Sequence, residues 1–140
     1  MSRRTILDTG PLVAMLSRRD YRHEWACAIF GRTEGPMLTT ESVLTEACFL
    51  LRHFPDGCAD VVETVCQGVV EISSPLRDNP RQISDLLRKY ADLPISLADA
   101  SLVLLSEKID DCQVLTFDSH FKLYRRRGRG VIPTIMPPGL

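Results

Sequence analysis

Hydrophobic and polar positions along this chain alternate between short apolar runs and longer stretches with a 3.6-residue period. Residues 5–7 (TIL) form an apolar run that stops at Asp8-Thr9-Gly10-Pro11, and residues 11–16 (PLVAML) then read as a brief helix. Asp20 is placed to cap a further helix, in which Tyr21, Trp25, Ala28 and Ile29 share one face. Residues 37–39 (MLT) are a second strand, and Thr40 caps a helix running to about His53. Pro55 and Asp56 restart a helix with Cys58, Val62, Val65 and Cys66 inward, and residues 69–73 (VVEIS) supply a third strand. Asn79 followed by Pro80 opens a helix whose apolar stripe is Ile83, Leu86, Leu87 and Tyr90, ending before Pro94. Ser96 and Asp99 fit a capping box for a helix that is apolar nearly all round, hence buried. Residues 113–117 (QVLTF) are a fourth strand, and residues 131–135 (VIPTI) a fifth at an edge that tolerates Pro133.

Strands separated by helical segments of this length cannot pair as simple hairpins; they need crossover connections. The pattern therefore predicts one α/β domain over residues 1–140, with a mainly parallel four- or five-stranded sheet and helices on both faces.

Composition adds two points. The net charge of −1 conceals an asymmetry, because 14 of the 17 basic residues are Arg and four crowd into YRRRGRG (124–130), so a polyanionic partner is not excluded. The five cysteines, at 27, 48, 58, 66 and 112, include no CxxC pair and lie mostly in apolar stretches, which reads as reduced core thiols in a cytoplasmic protein. The basic start MSRR leads into an apolar run broken by Asp8, Gly10 and Pro11, so neither a signal peptide nor a membrane span is expected.

Candidate chemistry lies beyond the carboxyl ends of the strands, where parallel sheets form their ligand crevice. Asp8 and Asp118 each directly follow a strand and should project from that rim. Glu46 falls on a helical stripe with Val43, Ala47 and Leu50, and a carboxylate there is costly to bury unless paired or metal-bound. Asp99 joins them from the first turn of its helix. Each has a local reading: an Asx turn for Asp8, an N-cap for Asp118, the capping box for Asp99, and for Glu46 a buried Arg partner or a reach to water around the helix edge. A carboxylate has two oxygens and can serve both a backbone N–H and a metal. Unit charges about 4 Å apart repel by ~4 kcal/mol at an effective dielectric of 20, so four converging acids require a cation. Oxygen ligands without His or Cys favour Mg2+ or Mn2+ over zinc.

With these residues in place, ILDTGPLVAML (Asp8), TESVLTEACFLL (Glu46), YADLPISLADASLVLLSE (Asp99) and VLTFDSHFKLYRRRGR (Asp118) together resemble a PIN domain of the VapC toxin type, over essentially the whole chain. The resemblance implies a three-layer α/β/α fold and a metal-dependent endoribonuclease that leaves a 5′-phosphate and a 3′-hydroxyl. It also implies a homodimer, the toxin of a type II toxin-antitoxin pair, blocked by a cognate antitoxin protein. Asp8, Glu46, Asp99 and Asp118 then become the catalytic metal site for Mg2+, with Mn2+ able to substitute. Some similar sequences carry another acid where this chain has Ser96, which stays an N-cap here. Thr9, Thr116 and Ser119 flank the acids as candidates for bonding phosphate or metal-bound water. Arg125, Arg126 and Arg127, beside Tyr124, are candidates for the RNA backbone. His23, His53 and His120 show no ligand spacing and read as structural or surface residues.

Two other enzyme classes place an Asp after the first strand. A haloacid-dehalogenase-like phosphatase needs a second Asp two residues on, where this chain has Gly10. A phosphorylated receiver domain needs an acidic pair near the first strand, and a Lys after a late strand, where this chain has Asp118. The non-enzyme alternative is a catalytically inactive PIN-fold module that binds RNA or protein. The intact acidic quartet argues against it.

Overall fold

The computed structural model describes residues 3–140, so the first two residues of the basic start lie outside the described residues. The chain runs β1 (Arg4–Leu7), α1 (Thr9–Leu16), α2 (His23–Arg32), β2 (Met37–Thr39), α3 (Glu41–Leu50), α4 (Gly57–Cys66) and β3 (Val70–Ile72). It continues through α5 (Pro75–Asp78), α6 (Pro80–Lys89), α7 (Leu97–Lys108), β4 (Cys112–Leu115), a 3-10 turn (Ser119–Lys122), β5 (Arg125–Arg126), β6 (Gly130–Val131) and β7 (Thr134–Ile135). Five strands make one sheet in the order β3-β2-β1-β4-β7, and every pairing in it is parallel. This is the expected three-layer α/β/α arrangement.

Period-2 alternation in the central strands divides the core between the two faces. Ile6 and Val114 point to the side covered by α7, where they pack with Leu102, Val103, Phe121 and Tyr124. Leu7 and Leu115 point the other way, toward Leu12 of α1, Ile29 of α2 and Val61 of α4. Between them α3 shares Val43 with the first cluster and Ala47 with the second. α7 is buried along almost its whole length, as its all-round apolar sequence predicts. Among the described residues no helix is long and apolar enough to cross a membrane.

Four local expectations need correction. Asp20 accepts a hydrogen bond from Arg22 N at 2.8 Å, but in a turn, and α2 begins only at His23. That turn resets the helical phase, so α2 buries Ala26 and Ile29 while Tyr21 is 84% exposed and Ala28 is exposed too. α4 is likewise rotated. It buries Gly57, Val61 and Thr64 and leaves Val62 53% exposed, because a Cβ at Gly57 would lie 2.1 Å from the Leu51 carbonyl oxygen and only Gly lets the backbones meet there. Of the cysteines only Cys112 is a core thiol; Cys27, Cys58 and Cys66 are exposed and Cys48 partly so, all free.

Residues 131–135 are not one strand. The chain divides at Pro133, whose carbonyl accepts from Val114 N at 2.8 Å, so that Thr134–Ile135 joins β4. Gly130–Val131 instead pairs antiparallel with Arg125–Arg126. The hairpin loop holds Arg127 (φ 53) and Gly128 (φ 81) in the left-handed region, which Gly128 adopts at little cost.

Candidate acidic active site

The site grows out of the junction between β1, β4 and the helices that follow them. Asp8 prolongs β1, donating its N–H to the Leu115 carbonyl at 3.0 Å, and at the same residue the chain turns into α1. Its Oδ1 accepts from Thr9 N at 2.8 Å, and its Oδ2 accepts from the Thr116 hydroxyl at 2.6 Å. The residue is only 7% exposed. Burial pushes its pKa up to about 6 against the Thr116 and Thr9 hydrogen bonds that favour the anion, and the charges of Asp99 and Asp118 add to the rise.

Thr116 joins two of the acids. Fully buried, it donates to Asp8 and accepts from Asp118 N at 2.9 Å, so both strand-end carboxylates are set by one hydroxyl. Asp118 caps the 3-10 turn, its Oδ1 accepting from His120 N at 2.9 Å. The same oxygen lies 2.8 Å from His120 Nδ1, and since an ionised carboxylate only accepts, the ring nitrogen donates.

Asp99 makes the predicted capping box with Ser96. Its N–H donates to Ser96 Oγ at 3.0 Å and its Oδ2 accepts from Ser96 N at 3.1 Å. At 8% exposure its carboxyl is shifted above the usual range, first by burial and then by Asp118 and Glu46, with the Ser96 hydrogen bonds opposing. Behind it stands the buried Tyr124, whose hydroxyl donates to Asp99 Oδ2 at 3.5 Å. Burial foremost, and next the charge of Asp99, raise the Tyr124 pKa well above the usual phenol range, so it stays a donor.

Glu46 reaches the group by a different route from the expected one. It is exposed at the edge of α3, whose buried side is Val43 and Ala47, and the Leu50 of the supposed stripe is itself exposed. What holds it is the Thr9 hydroxyl, which donates to Glu46 Oε2 at 3.1 Å. A groove of about 880 Å³ leads away from Glu46 and Ser96, with Glu41, Phe49, Leu76 and Leu97 in its walls.

Four acids from four separate parts of the chain thus lie around the carboxyl rim of a parallel sheet, near enough for Asp8 and Asp99 to feel the charges of their neighbours. The family model of the PIN domain matches residues 5–127. The chain belongs to the PIN domain family. It is 25% identical over 135 residues to Ribonuclease VapC26 of Mycobacterium tuberculosis (strain ATCC 25618 / H37Rv), an alignment covering 94% of this chain and 99% of that protein. Its fold is similar to the crystal structure of Mycobacterium tuberculosis VapC20, described as a Sarcin-Ricin loop cleaving toxin. There the TM-score is 0.67 at 21% identity, over 82% of this chain and 90% of that one.

The donor set of this PIN domain suits a hard divalent cation. It offers carboxylate oxygens only, and two of the carboxyls, Asp8 and Asp99, are disfavoured as anions first by burial and then by neighbouring acids, a penalty that a cation relieves. Among the described residues no three His, Cys, Asp or Glu side chains stand close enough to hold an ion as placed. The acids are paired through Thr9 and Thr116 rather than closed on one point.

The remaining sequence candidates lie elsewhere. Ser119 is exposed at the start of the 3-10 turn. Arg125 donates to the carbonyls of Lys122, Leu123 and Tyr124. Arg126 donates to those of Ser106, Ile109 and Asp110, and Arg127 to the Glu107 carbonyl and the Asp110 carboxylate. Arg126 and Arg127 therefore satisfy the C-terminal end of α7, roughly 12 Å along the helix axis from Asp99. Tyr124 packs edge-on against Tyr90 and Phe121 and presents no face to a base. Sequence reasoning missed His120 and the role of Tyr124. The usable signal for the first was the Asp-Ser-His spacing, which lets a ring fold back onto the capping carboxylate.

Proposed function

We propose that this PIN domain is a metal-dependent endoribonuclease that hydrolyses RNA phosphodiester bonds. In this reading Asp8, Glu46, Asp99 and Asp118 hold Mg2+, or Mn2+ in its place. The observation that supports it is the placing of these four acids around one rim of the sheet, where Asp8 feels the charges of Asp99 and Asp118, and Asp99 those of Asp118 and Glu46. Family membership and the likeness to a protein named as a ribonuclease support the same substrate class.

A divalent cation at such a site lowers the pKa of bound water and offsets charge on the phosphoryl oxygens. The protein's own part is to orient the carboxylates: Thr116 fixes Asp8 and the Asp118 loop, Thr9 holds Glu46, and the capping box and Tyr124 fix Asp99. A carboxylate oxygen has two lone pairs, so these bonds leave acceptor capacity on each acid.

By the same likeness the protein is the toxin of a type II toxin-antitoxin pair, cytoplasmic and homodimeric. Its antitoxin would approach by the groove, where apolar walls meet the acidic residues Glu41 and Glu46. That geometry suits a segment carrying apolar and basic side chains. The binding-only reading draws its support from the acids standing apart as placed.

The deciding experiment incubates wild type and Asp99→Asn with a mixed RNA panel, tRNA included, in Mg2+, Mn2+ or EDTA. Cleavage is expected only with metal and to fall by roughly 100-fold in the variant. RNA that wild type binds equally in EDTA and leaves whole with either metal would establish the binding module instead.

A further inference from the structure

Two of the cysteines stand side by side on neighbouring helices. α3 and α4 pack against each other at the corner spanned by residues 51–56, and there Cys58 Sγ lies 2.8 Å from Cys48 Sγ. Both are free thiols, Cys58 exposed and Cys48 partly exposed, so a small reagent reaches one and the other waits beside it. The corner is also fixed. Gly57 lies against the Leu51 carbonyl so closely that a Cβ would fall 2.1 Å from its oxygen, which holds the first turn of α4 against the end of α3. Exposed Cys27 has a different setting, with its sulfur 3.5 Å from the His23 ring.

We propose that Cys48 and Cys58 form a disulfide-exchange site, which reacts with an oxidised low-molecular-weight thiol and closes into an internal disulfide. The exposed Cys58 sulfur, as thiolate, attacks the small disulfide RSSR. A Cys58–SR bond forms, the S–S bond of the reagent breaks, and one RS⁻ leaves with the proton that Cys58 gave up. The adjacent Cys48 sulfur then displaces the second RS⁻ from Cys58, forming the Cys48–Cys58 bond as the Cys48 proton passes to the departing sulfur. In sum the protein dithiol gives two electrons to RSSR and yields two RSH. The bond ties together helices already in contact, so no refolding is required. It staples the helix that carries Glu46 and forms, through Glu41, Ser42, Thr45 and Phe49, one wall of the groove. The site does not depend on the ribonuclease reading.

The test exposes the full-length folded protein to oxidised glutathione over a range of reduced-to-oxidised ratios and follows intact mass and tryptic peptides. Arg52 lies between the two cysteines, so trypsin separates them unless they are crosslinked. In wild type the Cys48 and Cys58 peptides are expected to be joined, two hydrogens lighter than their reduced sum whatever glutathione Cys27 and Cys66 take up, with a melting temperature several degrees above the reduced form. Cys48→Ser should stop at glutathione on Cys58, and Cys58→Ser should form no crosslink. Wild type that retains glutathione on Cys58, that fails to react there, or that joins a different pair would overturn the proposal.

Discussion

Asp8 has a hydrogen-bond donor for each oxygen, Thr9 N and the Thr116 hydroxyl, yet its pKa is pushed up to about 6 because burial outweighs both. A carboxyl whose folded pKa lies above the unfolded 3.8 favours folding most at low pH, where it is protonated in both states' range. That contribution is lost as pH rises through about 6, and above it the buried charge costs on the order of 3 kcal/mol. Asp8→Asn should therefore melt several degrees above wild type in EDTA at pH 7.5, with the gap closing by about pH 4. Equal melts at both values would remove the burial argument. His120 allows a second check at this scale. If its ring orients Asp118, His120→Ala should weaken Mn2+ binding roughly 10-fold by calorimetry without RNA, and His120→Asn, which keeps a donor near Nδ1, should recover most of it. Asp8, Asp99 and Asp118 were legible in the sequence because strand ends and a capping box fix where they lie. Glu46 was picked out on a burial argument that does not hold, since its anchor is a hydroxyl 37 residues away in the chain.

At the scale of elements, legibility followed the strength of the local signal. Ser96, Asp99 and the apolar run behind them define α7 without ambiguity, and its start was read correctly. α2 and α4 were placed but turned to the wrong face, because a turn at residues 20–22 and a backbone contact at Gly57 set their phase, and periodicity carries neither. Gly57→Ala tests the second cause: with the Leu51 carbonyl in the way, unfolding in urea should show a loss of about 2 kcal/mol or more. The arginine run shows composition pointing to one partner and geometry supplying another. Arg126 already meets the carbonyls that end α7. Arg126→Ala should accordingly cost about 1–2 kcal/mol of stability and leave RNA cleavage per folded molecule unchanged. A variant that melts like wild type but binds RNA less well would return that arginine to the nucleic-acid surface.

For the whole molecule the strand order decides what depends on what. β1 pairs with β2 on one side and with β4 on the other, in a register that sets Arg4 opposite Cys112. A sheet whose central strand finds its second neighbour so late has mostly non-local pairings and is expected to fold slowly for its size. A chain cut before residue 112 should lack a cooperative melt, because β1 would keep an open edge and the apolar face of α7 would lose Val114. The fold class was readable from alternating strands and helices, since crossover rules leave few arrangements for them. The division at Pro133 was not, because a proline at a sheet edge is equally compatible with one strand or two.

That same order decides when the acidic site can first be whole during synthesis. Asp8 is translated long before Asp118, and Thr116, which joins the two, arrives only just after β4. A nascent chain carries three of the four acids but neither the hydroxyl that aligns Asp8 nor the strand that shields it. Whatever chemistry the site carries is therefore delayed on the ribosome until β4 has been made and has paired with β1.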